Sequence, residues 1–256
     1  MRRPDPLPAP AQLACVVLSL GNEPGLVDAV RSLLAQGHEA GENGLELVVV
    51  NSGGGGAAAA LARAGIGRSG TPVRVVERSE RLFAGAARNL GIAATTAPFV
   101  AFLAADCVAA PGWVAARLRR HRGGAAAVAS ALLHTAPRNP VAWAAHVALY
   151  SRRMPGVPAS ERLLYGVSYA RELFHRFGPF PEDLRAGEDT VFHQRLAAAA
   201  VAIEWAPEVC TRHRNPRRLA PLLADQYRRG ARSAAAWAAI PAGPPRRRVA
   251  ANALER

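Results

Sequence analysis

The sequence predicts an α/β fold: a mostly parallel sheet with helices on both faces, followed by a less regular second half. Three observations lead there. Apolar runs alternate with stretches of helical periodicity through the first hundred residues, the pattern of strands joined by crossover helices. No internal repeat is evident, and the one low-complexity stretch is GGGGAAAALA. Polar residues gather where the apolar runs stop, at Asn22, Asn51, Glu77 and Asp106. In a parallel sheet, ligands sit beyond those carboxyl ends.

Taken in order, MRRPDPLPAPAQ (residues 1–12) is Pro-rich and lacks the apolar segment of a secretory leader, so a disordered tail is expected. LACVVLSL (Leu13–Leu20) is a strand, and residues 24–36 form an amphipathic helix. LELVVV (45–50) is a second strand, leading into a Gly/Ala-rich turn and a helix through Ala64. VRVVE (Val73–Glu77) is the third strand, AGAARNLGIAAT a helix, and FVAFL (99–103) the fourth strand. Beyond it a helix follows Trp113, and an apolar stretch covers 125–133. A helix is expected over 140–151 and a loop over 152–162. GEDTVFHQRL opens another helix, VAIEWA is a short strand, and PEVCTRHRN follows it. Residues 216–256 read as a basic helix and an Arg/Pro-rich tail.

At 256 residues the chain holds one large domain or two small ones. Half its residues are hydrophobic, yet no uninterrupted apolar run reaches the length of a membrane span. Cys15, Cys107 and Cys210 are distant and odd in number, which suits neither a zinc knuckle nor a disulfide framework and favours a reducing cytosol. The net charge of +13 is carried by arginine in an Ala/Arg-rich composition of the kind a GC-rich bacterial genome produces. Such a surface attracts polyanions: nucleic acid, anionic lipid or nucleotide diphosphates. Aromatics make up 6% of residues and do not interleave with the arginines, which argues against nucleic acid.

Four stretches carry candidate chemistry. Asp106, a lone acid after an apolar strand, is either a turn residue or a hard oxygen ligand for Mg²⁺ or Mn²⁺ bridging a diphosphate. His213 is either a solvated loop residue or a nitrogen ligand better suited to Mn²⁺. Arg88 has the guanidinium geometry that fits phosphate. Glu188 and Asp189 stand at the start of a helix, where acids complement the helix dipole. A carboxylate held there could also act as general base.

The order of S-L-G-N, VVVNSG, ARNLGI, FLAADC…W and RFGPFPEDLRAGEDTVFHQRL resembles a family-2 glycosyltransferase of the GT-A fold, over about residues 13–215. Its most specific part is Gly166, Arg171, Gly178, Phe180, Glu182 and Gly187-Glu188-Asp189. The resemblance implies a GT-A-like, Rossmann-type sheet with a nucleotide-binding half (13–110) and a less regular acceptor half (111–215). It implies an inverting enzyme that moves sugar from a nucleotide-diphosphate donor to an unknown acceptor hydroxyl. Asp189, within the Gly-Glu-Asp motif with Glu188, matches the catalytic base, and Asp106 the second acid of D-x-D, the metal ligand. Arg88 and Asn89 match residues lining the nucleotide, Ser19 and Asn22 those meeting the base, and His213 a further ligand for Mn²⁺ or Mg²⁺.

The departures are specific. Ala104 replaces the first acid of D-x-D, Asn51 replaces an acid facing the nucleobase, and Ser168 stands where asparagine is common. Two other functions therefore stay open. One is a catalytically inactive, nucleotide-binding relative. The other is a dinucleotide-binding Rossmann protein, with VVVNSGGGGAA as its glycine fingerprint and Glu77 meeting a ribose. A cytoplasmic location is expected, peripheral to the inner membrane face if the basic segment 216–256 contacts anionic lipid. The alternative is a helix packed on the domain with solvated arginines.

Overall fold

The computed structural model describes residues 11–21, 23–40, 44–67 and 71–238. Its strands are β1 (Leu13–Leu20), β2 (Leu45–Ser52), β3 (Val73–Glu77), β4 (Phe99–Ala104), β5 (Cys107–Ala109), β6 (Ala127–His134), β7 (Ser168–Ala170) and β8 (Ile203–His213). Its α-helices are α1 (Leu26–Leu34), α2 (Ala57–Arg63), α3 (Ala84–Ala93), α4 (Trp113–Arg122), α5 (Pro140–Tyr150), α6 (Glu172–Phe177), α7 (Glu188–Ala198) and α8 (Leu219–Ala238). The strands form one sheet in the order β3-β2-β1-β4-β7-β6-β8-β5.

Period-two alternation along β1 divides the core between the two faces of the sheet. Leu13, Cys15 and Val17 join one apolar cluster with α1 and α4 through Leu26, Leu33, Trp113 and Leu118. Ala14 and Val16 join the other with α6 and α7 through Leu173, Phe174, Phe192 and Leu196. In register, Leu13 faces Leu45 on one side and Phe99 on the other. β1, β2 and β4 therefore end together, with Leu20 opposite Ser52 and Leu18 opposite Ala104.

The first four strands are parallel, as their sequence pattern implies. The second half makes the sheet mixed, because β7 lies antiparallel between β4 and β6. β5 and β7 are three residues each, too short for a periodic signal. The strand expected to stop at VAIEWA runs on to His213, with a register shift opposite Ser130 and Ala131. Pro207 lies in that irregularity, where a missing N–H is tolerated. The continuation of β8 pairs antiparallel with β5 and sets His213 opposite Cys107.

Candidate active site

Asp106 occupies the turn between β4 and β5, and His213 ends β8. The pairing of β5 with β8 brings them together: His213 Nε2 is 3.2 Å from Asp106 Oδ2. Arg214, the next residue, donates its backbone N–H to the Asp106 carbonyl at 2.9 Å and fixes the two segments. The Cys107 thiol donates to Asp106 Oδ1 at 3.3 Å and lies 3.4 Å from the Tyr165 hydroxyl. Asp106, Cys107 and His213 thus gather oxygen, sulfur and nitrogen donor atoms within 4.8 Å of one another. Burial works against ionising Asp106, but the hydrogen bond and charge of His213, with the Cys107 contact, hold its carboxyl below the usual range. Burial, reinforced by the Asp106 charge, pushes the Cys107 thiol well up, so sulfur is the less available donor.

Two adjoining clefts open at the ends of β1 and β4. The first, about 200 Å³, is lined by Ser19, Glu23, Ser52, Arg81, Ala104 and Asp106 among others. The second, about 80 Å³, is lined by Arg88, Phe102, Ala104, Tyr165, Tyr169 and Asp189 among others. Leu18 and Ala104 belong to both walls. The metal candidate and the base candidate therefore face neighbouring spaces that meet at Leu18 and Ala104. Burial and the nearby Asp106 charge raise the Glu23 carboxyl above its ordinary range, as expected of two acids sharing one cleft.

Gly187 adopts φ +89°, a left-handed conformation that opens α7 and turns Glu188 and Asp189 into its first turn. Their roles separate there. Asp189 Oδ1 accepts from its neighbour Thr190 N at 2.8 Å, and the side chain reaches the second cleft. Glu188 is 6% exposed and pairs with Arg88 at 2.7 Å. The Arg88 guanidinium also lies 5.4 Å from the Phe102 ring centroid and 5.2 Å from that of Phe180. Glu188 is thus the counter-ion of Arg88.

The remaining sequence-based candidates fall as follows. Ser19 lines the first cleft, and its buried Oγ has no hydrogen-bond partner among the described residues. Asn22 lies outside the described residues. Asn51 is fully buried and donates to the Gly54 carbonyl at 2.8 Å, so it shapes the glycine loop and is not among the residues lining either cleft. The Asn89 amide accepts from Phe180 N and donates to Phe180 O and Glu182 Oε1, so it clamps a turn and is not among the residues lining either cleft. Ser168 is fully buried and holds Arg117 Nη1 and His121 Nε2, each at 2.8 Å. Glu77 accepts from the backbone N–H groups of Gly56 and Ala58 at the start of α2. Those two amides, at the start of the helix where a pyrophosphate would sit, are therefore taken by a side chain of the protein itself.

Several residues of this site escaped the sequence reading. Tyr150, His146 and Asn215 surround His213, and Arg81 lines the first cleft. The spacing of His146 and Tyr150 on a helix, and of His213 and Asn215 at a strand end, was the available signal.

Residues 15–174 match the family described as glycosyl transferase family 2. No curated protein matches the chain in sequence. Among solved structures, a mannosyltransferase from Pyrobaculum calidifontis in complex with GDP-Man and Mn²⁺ is similar, with TM-score 0.63 and 20% identity over 90% of this chain and 65% of that one. TarS from S. aureus in complex with UDP-GlcNAc is similar with TM-score 0.57 and 14% identity, over 80% of this chain and 59% of that one. Glucosyl-3-phosphoglycerate synthase from Mycobacterium tuberculosis, in complex with Mn²⁺, UDP and phosphoglyceric acid, gives TM-score 0.56 and 20% identity over 84% and 74%. The chain spans less than two thirds of the first two, and at these identities the likeness concerns the fold. The match to the family itself covers more than half of the chain, and with the mixed sheet and paired clefts it makes this protein a member of glycosyl transferase family 2 with the GT-A fold.

Proposed function

We propose that the chain is a metal-dependent, inverting glycosyltransferase that moves a sugar from a nucleotide-diphosphate donor to an acceptor hydroxyl. The observation that carries this reading is the division of labour across Leu18 and Ala104. Asp106, paired with His213, lines the first cleft, and Asp189 lines the second.

One carboxylate oxygen and one imidazole nitrogen, 3.2 Å apart, form a donor set that fits Mn²⁺ or Mg²⁺, since substrate phosphates and water can complete the shell. When bound, such an ion would neutralise charge on the leaving diphosphate. Arg81, exposed on the same cleft, adds a cation there, whereas much of the Arg88 charge is balanced by Glu188. Asp189 takes the proton of the acceptor hydroxyl as that oxygen attacks the anomeric carbon. Asp106 and Asp189 do not share a cleft, and a single displacement between the two spaces inverts the anomeric centre.

The same reading extends to where the protein works. Cys15, Cys107 and Cys210 are free thiols, which supports a cytoplasmic enzyme. Among the described residues no helix is long and apolar enough to cross a membrane. α8 nonetheless exposes Leu219, Leu223 and Tyr227 at helical spacing, beside exposed Arg217, Arg218 and Arg228. That face supports a contact with an anionic membrane surface.

A panel of nucleotide sugars incubated with the protein and Mn²⁺, read by release of the nucleotide diphosphate, tests the activity. Turnover of one donor that disappears in Asp189→Asn is the expected result. Binding of a donor without turnover across all donors and acceptors tried would make the chain an inactive relative.

A further inference from the structure

His213 does not stand alone behind Asp106. Its Nδ1 is 2.9 Å from Asn215 Oδ1, Asn215 Nδ2 is 3.2 Å from His146 Nδ1, and His146 Nε2 is 3.3 Å from the Leu132 carbonyl. His146 is fully buried, and His213 and Asn215 are each 8% exposed, so little water competes for these atoms.

The direction of every bond in this chain follows from its far end. A carbonyl only accepts, so His146 Nε2 carries the hydrogen that meets Leu132 O. Burial depresses the pKa of His146 to about 4, which keeps its ring neutral and leaves Nδ1 bare. A bare Nδ1 accepts, so it meets the amide nitrogen of Asn215, which turns the amide oxygen toward His213. That oxygen only accepts, so His213 Nδ1 carries hydrogen. Nε2 is then the nitrogen left to face Asp106 Oδ2 and the Tyr150 hydroxyl, each at 3.2 Å.

We infer that Asn215 and His146 are positioning residues that hold the His213 ring through its Nδ1–H and aim Nε2 at the metal position beside Asp106. The inference rests on the metal-site reading given above. The relay anchors the ligand to β6 through Leu132 and to α5 through His146, so the ring orientation is set by two elements of the acceptor half. Outer partners of this kind typically change metal affinity by about 10–100-fold when removed.

The test reads the proton directly. Long-range ¹H–¹⁵N correlation spectra of the metal-free, ¹⁵N-labelled protein should show a hydrogen on His213 Nδ1 that exchanges slowly with water. In Asn215→Leu that hydrogen should be lost to rapid exchange, and Mn²⁺ titrated alone, followed by electron paramagnetic resonance, should bind about 10–100-fold more weakly. A parent His213 with no hydrogen on Nδ1, or a slowly exchanging Nδ1 hydrogen that persists in Asn215→Leu, would overturn the inference. The parent spectrum needs no variant to fold. A parent that holds hydrogen on Nδ1 and binds no Mn²⁺ would instead remove the metal reading of Asp106 and His213 while leaving the relay in place.

Discussion

Ala104 is the residue where the two clefts meet, and it stands where relatives by resemblance carry an acid. One missing hydrogen bond from a charged group is worth about 1.5–3 kcal/mol. At 1.4 kcal/mol per tenfold, Ala104→Asp should tighten nucleotide-sugar binding by roughly ten- to a hundredfold, as measured by calorimetry. Weaker binding would mean that alanine makes room for part of the donor. Asp189→Asn should leave donor affinity nearly unchanged and lower turnover by about 10²–10⁴-fold, the usual contribution of a general base. A variant that transfers sugar at the parent rate would reduce Asp189 to a helix-start residue. Asp106 and Asp189 were legible as candidates because their acids stand at element ends. For Asn51, Asn89 and Glu188 residue type gives polarity without direction: all three turn inward to the glycine loop, the Phe180 turn and Arg88.

At the scale of elements, α3 is held against the turn ahead of α7 by one glycine. A Cβ on Gly85 would lie 1.9 Å from the Pro181 carbonyl oxygen and 3.4 Å from Glu188 Cβ. Gly85→Ala should therefore force α3 away, loosen the Arg88–Glu188 pair, and cost on the order of 1–3 kcal/mol in denaturant unfolding. Unchanged stability would show that the turn yields freely. α8 makes a separate claim. Vesicles containing anionic lipid should carry the protein in flotation, and Leu219→Ser with Leu223→Ser should reduce that binding; flotation independent of lipid charge would assign the helix to packing on α5. The sequence reading worked for α1, α3 and α5, helices of nine to eleven residues without an internal break. It failed for β5 and β7 at three residues, and for β8 beyond Pro207, where the strand resumes after an irregularity that reads as an end.

Across the whole molecule, the four parallel strands were legible because each is rich in apolar residues and adjoins a helix in the chain. The mixed half was not, since β7 joins by two short antiparallel pairings that leave no hydrophobic pattern. Its interior includes a polar cluster: Arg117, fully buried, bonds to Gly166 O, Val128 O and Ser168, and His121 joins them while stacking on Phe99. Burial first, and then the Arg117 charge, lowers His121 to about 4 from an ordinary 6.5, although the Ala125 carbonyl opposes this. A histidine held neutral in the fold binds its proton more readily when unfolded. Stability is therefore complete above about pH 6.5 and falls as pH drops toward 4, by roughly 3 kcal/mol for this group at 1.36 kcal/mol per unit. Urea midpoints should follow that window in the parent and flatten in His121→Gln; equal slopes would assign the acid transition elsewhere. The central claim, that one acid and one histidine suffice for a metal-assisted donor site, is tested most directly by titrating UDP and GDP into the protein by calorimetry. The account predicts binding of at least one nucleotide that is lost on chelation, returns with Mn²⁺ or Mg²⁺, and becomes indifferent to metal in Asp106→Ala. Equal affinity with and without metal in the parent would contradict it.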